Sequence, residues 1–216
     1  MAVDLPLFPL ATVLFPHMPM ALHVFEERYR VMVKDCERAG TTFGVVAIRE
    51  GLEVGGPALP YRVGTLAQLR GVEPLDDGGY NLEVVGASRF RVDAFRHERP
   101  YLVGAVHYLE DSPATVDDTA TLATRVSSAF RGYVTALRGL EGQETVAVEL
   151  PEEPELLSYL VAASMQVETA RRQSLLELDD TTARLQGCLT LLRRESVLIE
   201  KMASGSKDRA GLASLN

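Results

Sequence analysis

The chain has 216 residues and is poor in several residue types that define specialised protein classes. It contains no tryptophan, 6% aromatic residues and two cysteines, Cys36 and Cys188. Two distant cysteines in helical-looking segments exclude a disulfide-rich scaffold, and we expect buried free thiols, with one disulfide as the alternative. The four histidines lack a cysteine or second histidine at zinc spacing, so we predict no metal site and no cofactor.

Positive charge is also scarce. The chain carries 22 Lys and Arg against 30 Asp and Glu, for a net charge of −8. Residues 1–110 hold 11 cationic and 14 acidic side chains, and residues 111–216 hold 11 and 16, so neither half is basic. A non-specific nucleic-acid binder neutralises phosphates with Lys and Arg. Nucleic acid is therefore disfavoured as a partner.

One long segment, residues 5–25, carries no formal charge. Its 21 residues match the length of a membrane-spanning helix. It is interrupted by Pro6, Pro9, Pro16 and Pro19, and each proline removes a backbone donor that could not remain unsatisfied in lipid. Asp4 stands where a signal peptide has basic residues. We therefore predict a cytoplasmic protein without membrane association.

The first half of the chain has mainly the periodicity of strands, interrupted by one helix. Residues 43–48 form a short apolar run, residues 61–69 are extended, and residues 80–84 and 89–93 alternate apolar with polar side chains. The turn sequence 76–79 predicts a hairpin, Gly86 suits a bulge, and residues 101–109 complete the set. The predicted helix buries an apolar stripe and ends at Gly40. The stripe consists of Phe25, Tyr29, Met32, Val33 and Cys36.

The second half has helical periodicity. A polar connector at 111–118 precedes a helix that Gly139 ends, and a second helix spans 151–165. The spacing of Ser174 and Glu177 predicts a capping box. Asp179 and Asp180 begin a last helix, and its inward residues are predicted to be Leu185, Leu189, Leu192 and Ile199.

Several sequence segments, taken in order, resemble the LON substrate-binding domain, which is the N-terminal domain of Lon proteases and also occurs as a stand-alone protein. The resemblance implies an α+β fold, a PUA-like six-stranded pseudo-β-barrel over residues 1–112 followed by a C-terminal α-helical bundle over residues 118–202. We expect residues 203–216 to be a disordered tail, because they are small and polar. The matching segments are Leu5-Pro-Leu-Phe-Pro-Leu10, Val13-Leu-Phe-Pro16, His23-Val-Phe-Glu-Glu-Arg-Tyr29, Phe43-Gly-Val-Val-Ala-Ile48, Val63-Gly-Thr65, Gly86, Arg89-Phe-Arg-Val92, Leu175-Leu176, Asp179 and Arg184-Leu185.

One residue departs from the family pattern. Family members often have Phe-Pro-Gly where this chain has Phe15-Pro16-His17. If that glycine takes positive φ, the turn here is different or strained.

The motifs of the Lon ATPase and protease are missing from this sequence. A phosphate-binding loop needs a Gly-Lys pair, and none occurs. The catalytic serine of Lon needs an activating lysine, and Lys34, Lys201 and Lys207 lie in no matching context. The resemblance therefore implies a non-enzymatic recognition module in protein quality control. Its partners would be unfolded or extended polypeptides and a separately encoded protease, for which it would act as an adaptor. The sequence does not determine the oligomeric state.

Two local features are candidate peptide-binding sites. Met18 and Met20 are flexible apolar side chains held between prolines beside His17, and the hairpin from Leu75 to Tyr80 is the second candidate. The methionines could instead only fill the end of the barrel. Peptide binding would combine pairing at a strand edge with apolar pockets.

A cluster of arginines defines the alternative function, an RNA or small-molecule binder that uses the PUA-like barrel. No aromatic residues are interleaved for base stacking, so we favour a solvated strand face. The adjacent carboxylates at 76–77 and 179–180 are interpreted as turn and cap residues. The arginines are Arg89, Arg91, Arg96 and Arg99.

Overall fold

Strands from the first half of the chain form a closed ring. The computed structural model describes residues 2–56, 58–112, 116–144 and 147–213, and for residues 116–118 and 203–213 it describes the backbone alone. Within these residues the strand order is β2-β5-β4-β3-β1-β6, and β6 pairs again with β5. All pairs are antiparallel except β1 with β3. The strands are β1 Val3–Leu10, β2 Pro19–Val24, β3 Phe43–Gly51, β4 Ala58–Pro74, β5 Tyr80–Arg96 and β6 Leu102–Leu109.

β5 closes the ring because its two parts pair with different strands. Its first part, up to Val85, pairs with β2, and its part from Arg89 onward pairs with β6. The β4–β5 register shifts between these parts, beside Gly86. The predicted bulge is confirmed.

The first helix, α1 (Glu27–Ala39), packs its apolar stripe into the core of the strand ring. Met32 and Cys36 are fully buried, and the Phe8 and Tyr29 rings lie 4.2 Å apart. Gly40 ends the helix at φ 62°, as predicted. Phe25 was wrongly assigned to the buried stripe, since it precedes α1 and 44% of it is exposed.

The remaining helices are α2 (Val116–Leu140), α3 (Pro154–Ser164), α4 (Thr169–Leu176) and α5 (Thr181–Ala213). Contacts divide the chain into two compact units, residues 1–111 with 162–179 and residues 112–161 with 180–216. α4 thus belongs to the unit of the strands, where Gln173 donates to the Val63 carbonyl at 3.0 Å. The domain limits drawn from the sequence remain a prediction, and α5 extends into the segment for which the sequence predicts disorder.

The predicted capping box is wrong. Ser174 lies inside α4 and donates to the Arg171 carbonyl at 2.8 Å, while Glu177 is the C-terminal cap residue. A serine within a helix can also donate its hydroxyl to a carbonyl one turn earlier, so the Ser174–Glu177 spacing does not by itself mark a helix start. By contrast, Asp180 accepts from the Ala183 N–H at 2.7 Å, which confirms its capping role.

A buried arginine organises the second unit. Arg184 is fully buried, its Nε donates to the Ser158 hydroxyl at 2.9 Å, and its guanidinium lies 3.9 Å from the centre of the Tyr159 ring. The predicted inward leucines and Ile199 of α5 are buried. Both cysteines are free and buried, as expected, and burial raises the pKa of Cys188 to about 12.

Candidate functional site

A turn with a strained residue positions the start of β2. His17 has φ 65° and is the only non-glycine residue with positive φ in the described part of the chain. Its N–H donates to the Gly86 carbonyl at 2.8 Å, and the Gly86 N–H donates to the Met18 carbonyl at 3.0 Å. Histidine thus takes a conformation that favours glycine, as the departure from the family pattern predicts.

The strain at His17 can be measured by comparing two variants. His17→Gly and His17→Ala remove the same side chain, but only glycine takes positive φ without a steric penalty. We expect the glycine variant to be more stable than the alanine variant by about 1 kcal/mol in urea unfolding. Equal stabilities would show that the turn relaxes around alanine.

An apolar groove lies beside β2. It is a cavity of about 390 Å³, within the range of ligand-binding clefts. Every residue from Met20 to Phe25 contributes to its lining. Because successive side chains of a strand point to opposite faces, a cavity that touches all of them runs along the edge of the strand. The other lining residues are Phe8, Leu10, Thr12, Glu26, Tyr29, Glu53 and Val54.

The edge of β2 along this groove is unpaired, since within the described residues β2 pairs only with β5. The Gly86 N–H bonds to the Met18 carbonyl, so hydrogen-bonded pairs continue at Met20, Leu22 and Val24. The backbone N–H and C=O groups of Ala21 and His23 therefore point away from β5, toward the open edge.

Exposed apolar side chains border the groove. Phe25 is 44% exposed, and Val54, in the loop between β3 and β4, is 53% exposed. Phe25 stacks on His23, with ring centres 5.8 Å apart. With the other lining residues they form an apolar surface beside the backbone N–H and C=O groups of the open β2 edge.

Charged groups hold one end of the groove. Glu26 forms an ion pair with Arg28 at 3.0 Å and accepts from the Gly55 N–H at 3.3 Å, and Arg28 donates to the Glu53 carbonyl. These bonds connect the β3–β4 loop to the start of α1. Burial raises the pKa of Tyr29, which lines the groove, from 10.0 to about 12.

The structure places the predicted peptide-binding residues at different positions. Met20 lines the groove, whereas Met18 and His17 lie in the turn that precedes β2. Tyr80 pairs with Val24 at the far end of β2, and the half-buried Leu75 lies at the hairpin tip. Sequence reasoning missed Phe25 and Val54. Val54 could have been found as an apolar residue in a glycine-rich loop, where an apolar side chain indicates a candidate binding surface.

The four arginines of the alternative site do not form one surface. Arg89 is 2% exposed and donates to the Leu176 and Leu178 carbonyls, so its assignment to a solvated face and to a nucleic-acid contact is corrected. Its neighbour Arg91 is exposed. Arg96 and Arg99 line a second cavity of about 530 Å³, where Asp4 pairs with Arg96 at 2.8 Å and Asp35 with Arg99 at 2.9 Å. These ion pairs offset the charge that RNA would require.

The described residues form neither a candidate metal centre nor a membrane-spanning helix. No group of three or more His, Cys, Asp or Glu side chains is arranged to hold a metal ion there. None of the described helices has the length and apolar character needed to cross a membrane.

The strand ring, its parallel β1–β3 pair and the helices after it define an α+β domain of the Lon N-terminal type. The chain belongs to the ATP-dependent protease La (LON) substrate-binding domain family, whose profile matches residues 4–194. The predicted family and fold class are confirmed.

Solved structures and curated sequences support this assignment. A Lon N-terminal domain protein from Xanthomonas campestris is 30% identical with a TM-score of 0.65, and the match covers 87% of this chain and 98% of that one. The N-terminal domain of a Mycobacterium avium complex Lon protease, 17% identical with a TM-score of 0.66 over 90% and 98% of the two chains, shares the fold. Lon protease 2 of Myxococcus xanthus is 30% identical over 91% of this chain, which spans 24% of that protein's length.

Proposed function

We propose that this protein is a non-catalytic recognition module that binds extended, apolar segments of unfolded polypeptides in the groove beside β2. A segment would add a strand to the open edge, with backbone hydrogen bonds providing affinity and the apolar lining accepting alternate side chains. The observation that carries the proposal is the run of groove-lining residues from Met20 to Phe25 along an edge without a strand partner in the described chain.

We also propose roles for the site residues predicted from the sequence. Met20 would contact the client directly, because its flexible side chain adapts to different apolar partners. His17 and Met18 would fix the start of the edge strand. Leu75 and Tyr80 would support its other end, where Tyr80 pairs with Val24.

The wider role follows from the family. A LON-type recognition module would deliver clients to a protease, and we propose that this chain serves as a cytoplasmic adaptor in protein quality control that requires no cofactor. The relatives are Lon proteases, and this chain spans about a quarter of their length. A link between this chain and their proteolytic activity is therefore part of the proposal.

A proline substitution tests strand addition directly. Ala21→Pro removes an N–H that points to the open edge and leaves the hydrogen bonds with β5 intact. Pro19 lies two residues before Ala21, so its backbone nitrogen also points away from β5. The strand therefore already accepts a proline at an equivalent position. We expect the affinity for fluorescein-labelled casein, measured by anisotropy, to fall about tenfold, because a hydrogen bond is lost and the ring obstructs the edge.

The control for this experiment is Ala21→Val, which enlarges the side chain but keeps the N–H and favours a strand. Because it keeps the N–H, it should bind casein more tightly than the proline variant, and both variants should unfold within a few degrees of the wild type. Equal affinity of the proline variant and the wild type would exclude strand addition at β2. Salt-sensitive binding of a 20-nucleotide RNA, without binding of casein, would instead support the nucleic-acid alternative.

A further inference from the structure

Two rows of side chains cross the outer face of the sheet beside the groove. Cross-strand neighbours on β2, β5 and β4 align in such rows because paired residues point to the same face. The first row is His23, Asn81 and Glu73. His23 Nδ1 lies 3.0 Å from Asn81 Oδ1, and the Asn81 amide donates to Glu73 at 3.0 Å. Hydrogen bonds thus connect all three members of this row.

The second row is different. It consists of Ala21, Glu83 and Gly71, so an exposed glutamate lies between two very small residues. Its carboxylate leans over β4, with Oε2 3.4 Å from the position that a Cβ on Gly71 would take. Within the described residues no ion pair of Glu83 is found. The row therefore has a carboxylate that forms no ion pair within the described residues, and it has little side-chain bulk on the side of the open edge.

A strand added to β2 would extend both rows by one residue. The residue opposite Ala21 would point to the outer face, about two strand spacings, roughly 9–10 Å, from the backbone of Glu83. A lysine or arginine at that position can reach over the alanine methyl group to the carboxylate once the Glu83 side chain rotates from β4 toward β2, since the side chains of both partners are long and flexible. The client residues on either side of this cation would point to the inner face, on the same side as Met20 and Leu22.

Acidic side chains are in the majority around the edge, while the exposed Arg70 stands beside Gly71 at the register shift of β4. Glu26 and Glu53 line the groove, and Glu73 and Glu83 lie on the outer face of the neighbouring strands. Arg28 is already paired with Glu26. The chain as a whole has a net charge of −8. This field attracts cationic segments and repels acidic ones.

We infer that the preferred clients are extended segments in which a lysine or arginine stands between two apolar residues, with the cation opposite Ala21 and paired with Glu83. This inference rests on the proposed strand addition and specifies the class of polypeptide it selects. The apolar neighbours would fill the groove, and the cation would raise the affinity for its segment above that for similar segments without a cation.

A double-mutant cycle tests the pair. The probes are two labelled peptides of nine residues, alternating Thr and Val, whose central outward residue is Lys in one and Gln in the other. We expect the wild type to bind the Lys peptide about three- to fivefold more tightly at low ionic strength, in the range of an exposed ion pair. Glu83→Gln should abolish this difference, and added salt should reduce it.

Glu73→Gln is the matched control. It removes the same charge from the same face, but its amide oxygen can still accept from Asn81, and its row is already connected by hydrogen bonds. This variant should keep the preference for Lys. An equal loss of preference in both variants would overturn the pairing with Glu83 in favour of a general field effect.

Two outcomes separate this inference from the proposed function. Equal binding of the two peptides by the wild type, with Ala21→Pro still weakening both, would refute the cation preference and leave strand addition standing. Failure of the wild type to bind either peptide or casein would refute the proposed function itself.

Discussion

Replacing Arg89 with alanine is expected to lower the free energy of unfolding by about 3–5 kcal/mol, the range for breaking a buried charge pair. Arg89 is 2% exposed and forms an ion pair with Asp111 at 2.5 Å. It also donates to the Leu176 carbonyl at 2.8 Å and to the Leu178 carbonyl at 2.6 Å. Alanine would remove these three charge-assisted hydrogen bonds, and hydrogen bonds to charged groups contribute more to stability than neutral ones.

Urea unfolding monitored by circular dichroism measures this loss, and Arg91→Ala is the matched control. Arg91 lies two residues further along β5 and is exposed, so its removal should change stability by less than about 0.5 kcal/mol. A small effect at Arg89, similar to that at Arg91, would show that water replaces the buried guanidinium at little cost.

Gly86→Ala is the second substitution with a large expected effect, a loss of about 3 kcal/mol. A Cβ on Gly86 would lie 2.1 Å from the Phe15 carbonyl oxygen, and this neighbour is backbone that cannot rotate away. The same glycine exchanges hydrogen bonds with His17 and Met18. Displacing that turn would move the start of β2, so we also expect weaker casein binding.

The control for this substitution is Gly132→Ala. Gly132 lies within α2, and a Cβ there would meet no atom within 4 Å. Alanine favours a helix over glycine, so this variant should gain about 0.5–1 kcal/mol in the same unfolding experiment. Unchanged stability of Gly86→Ala would mean that the turn at Phe15 moves freely, contrary to its hydrogen bonds.

Features that depend on neighbours in sequence could be predicted without the structure. The stripe from Tyr29 to Cys36 identified α1, and Gly40 identified its end, because helix periodicity and left-handed caps are local properties. The hairpin at 76–79 and the cap at Asp180 were found for the same reason. Local patterns were misleading where one spacing suits two structures, as at Ser174.

The candidate site could be predicted only in part. The sequence drew attention to Met18 and Met20 at the start of β2, and Met20 does line the groove. The rest of the site depends on which strand keeps an open edge. The pairing of β5 with both β2 and β6 closes the ring and leaves β2 with one partner within the described residues. No periodicity in residues 19–24 shows which of their edges remains open.

The sequence by itself determined the family, the strand-forming segments from residue 43 to residue 109, and α1 with its buried stripe from Tyr29 to Cys36, because these follow from ordered motifs and hydrophobic periodicity. Only the tertiary structure decided that Arg89 is buried, that Phe25 is exposed and that the edge of β2 is open beside an apolar groove. Each of these depends on contacts between distant residues, such as those of Arg89 with Leu176, 87 positions apart. Such contacts arise when the chain packs and are not encoded in any local pattern.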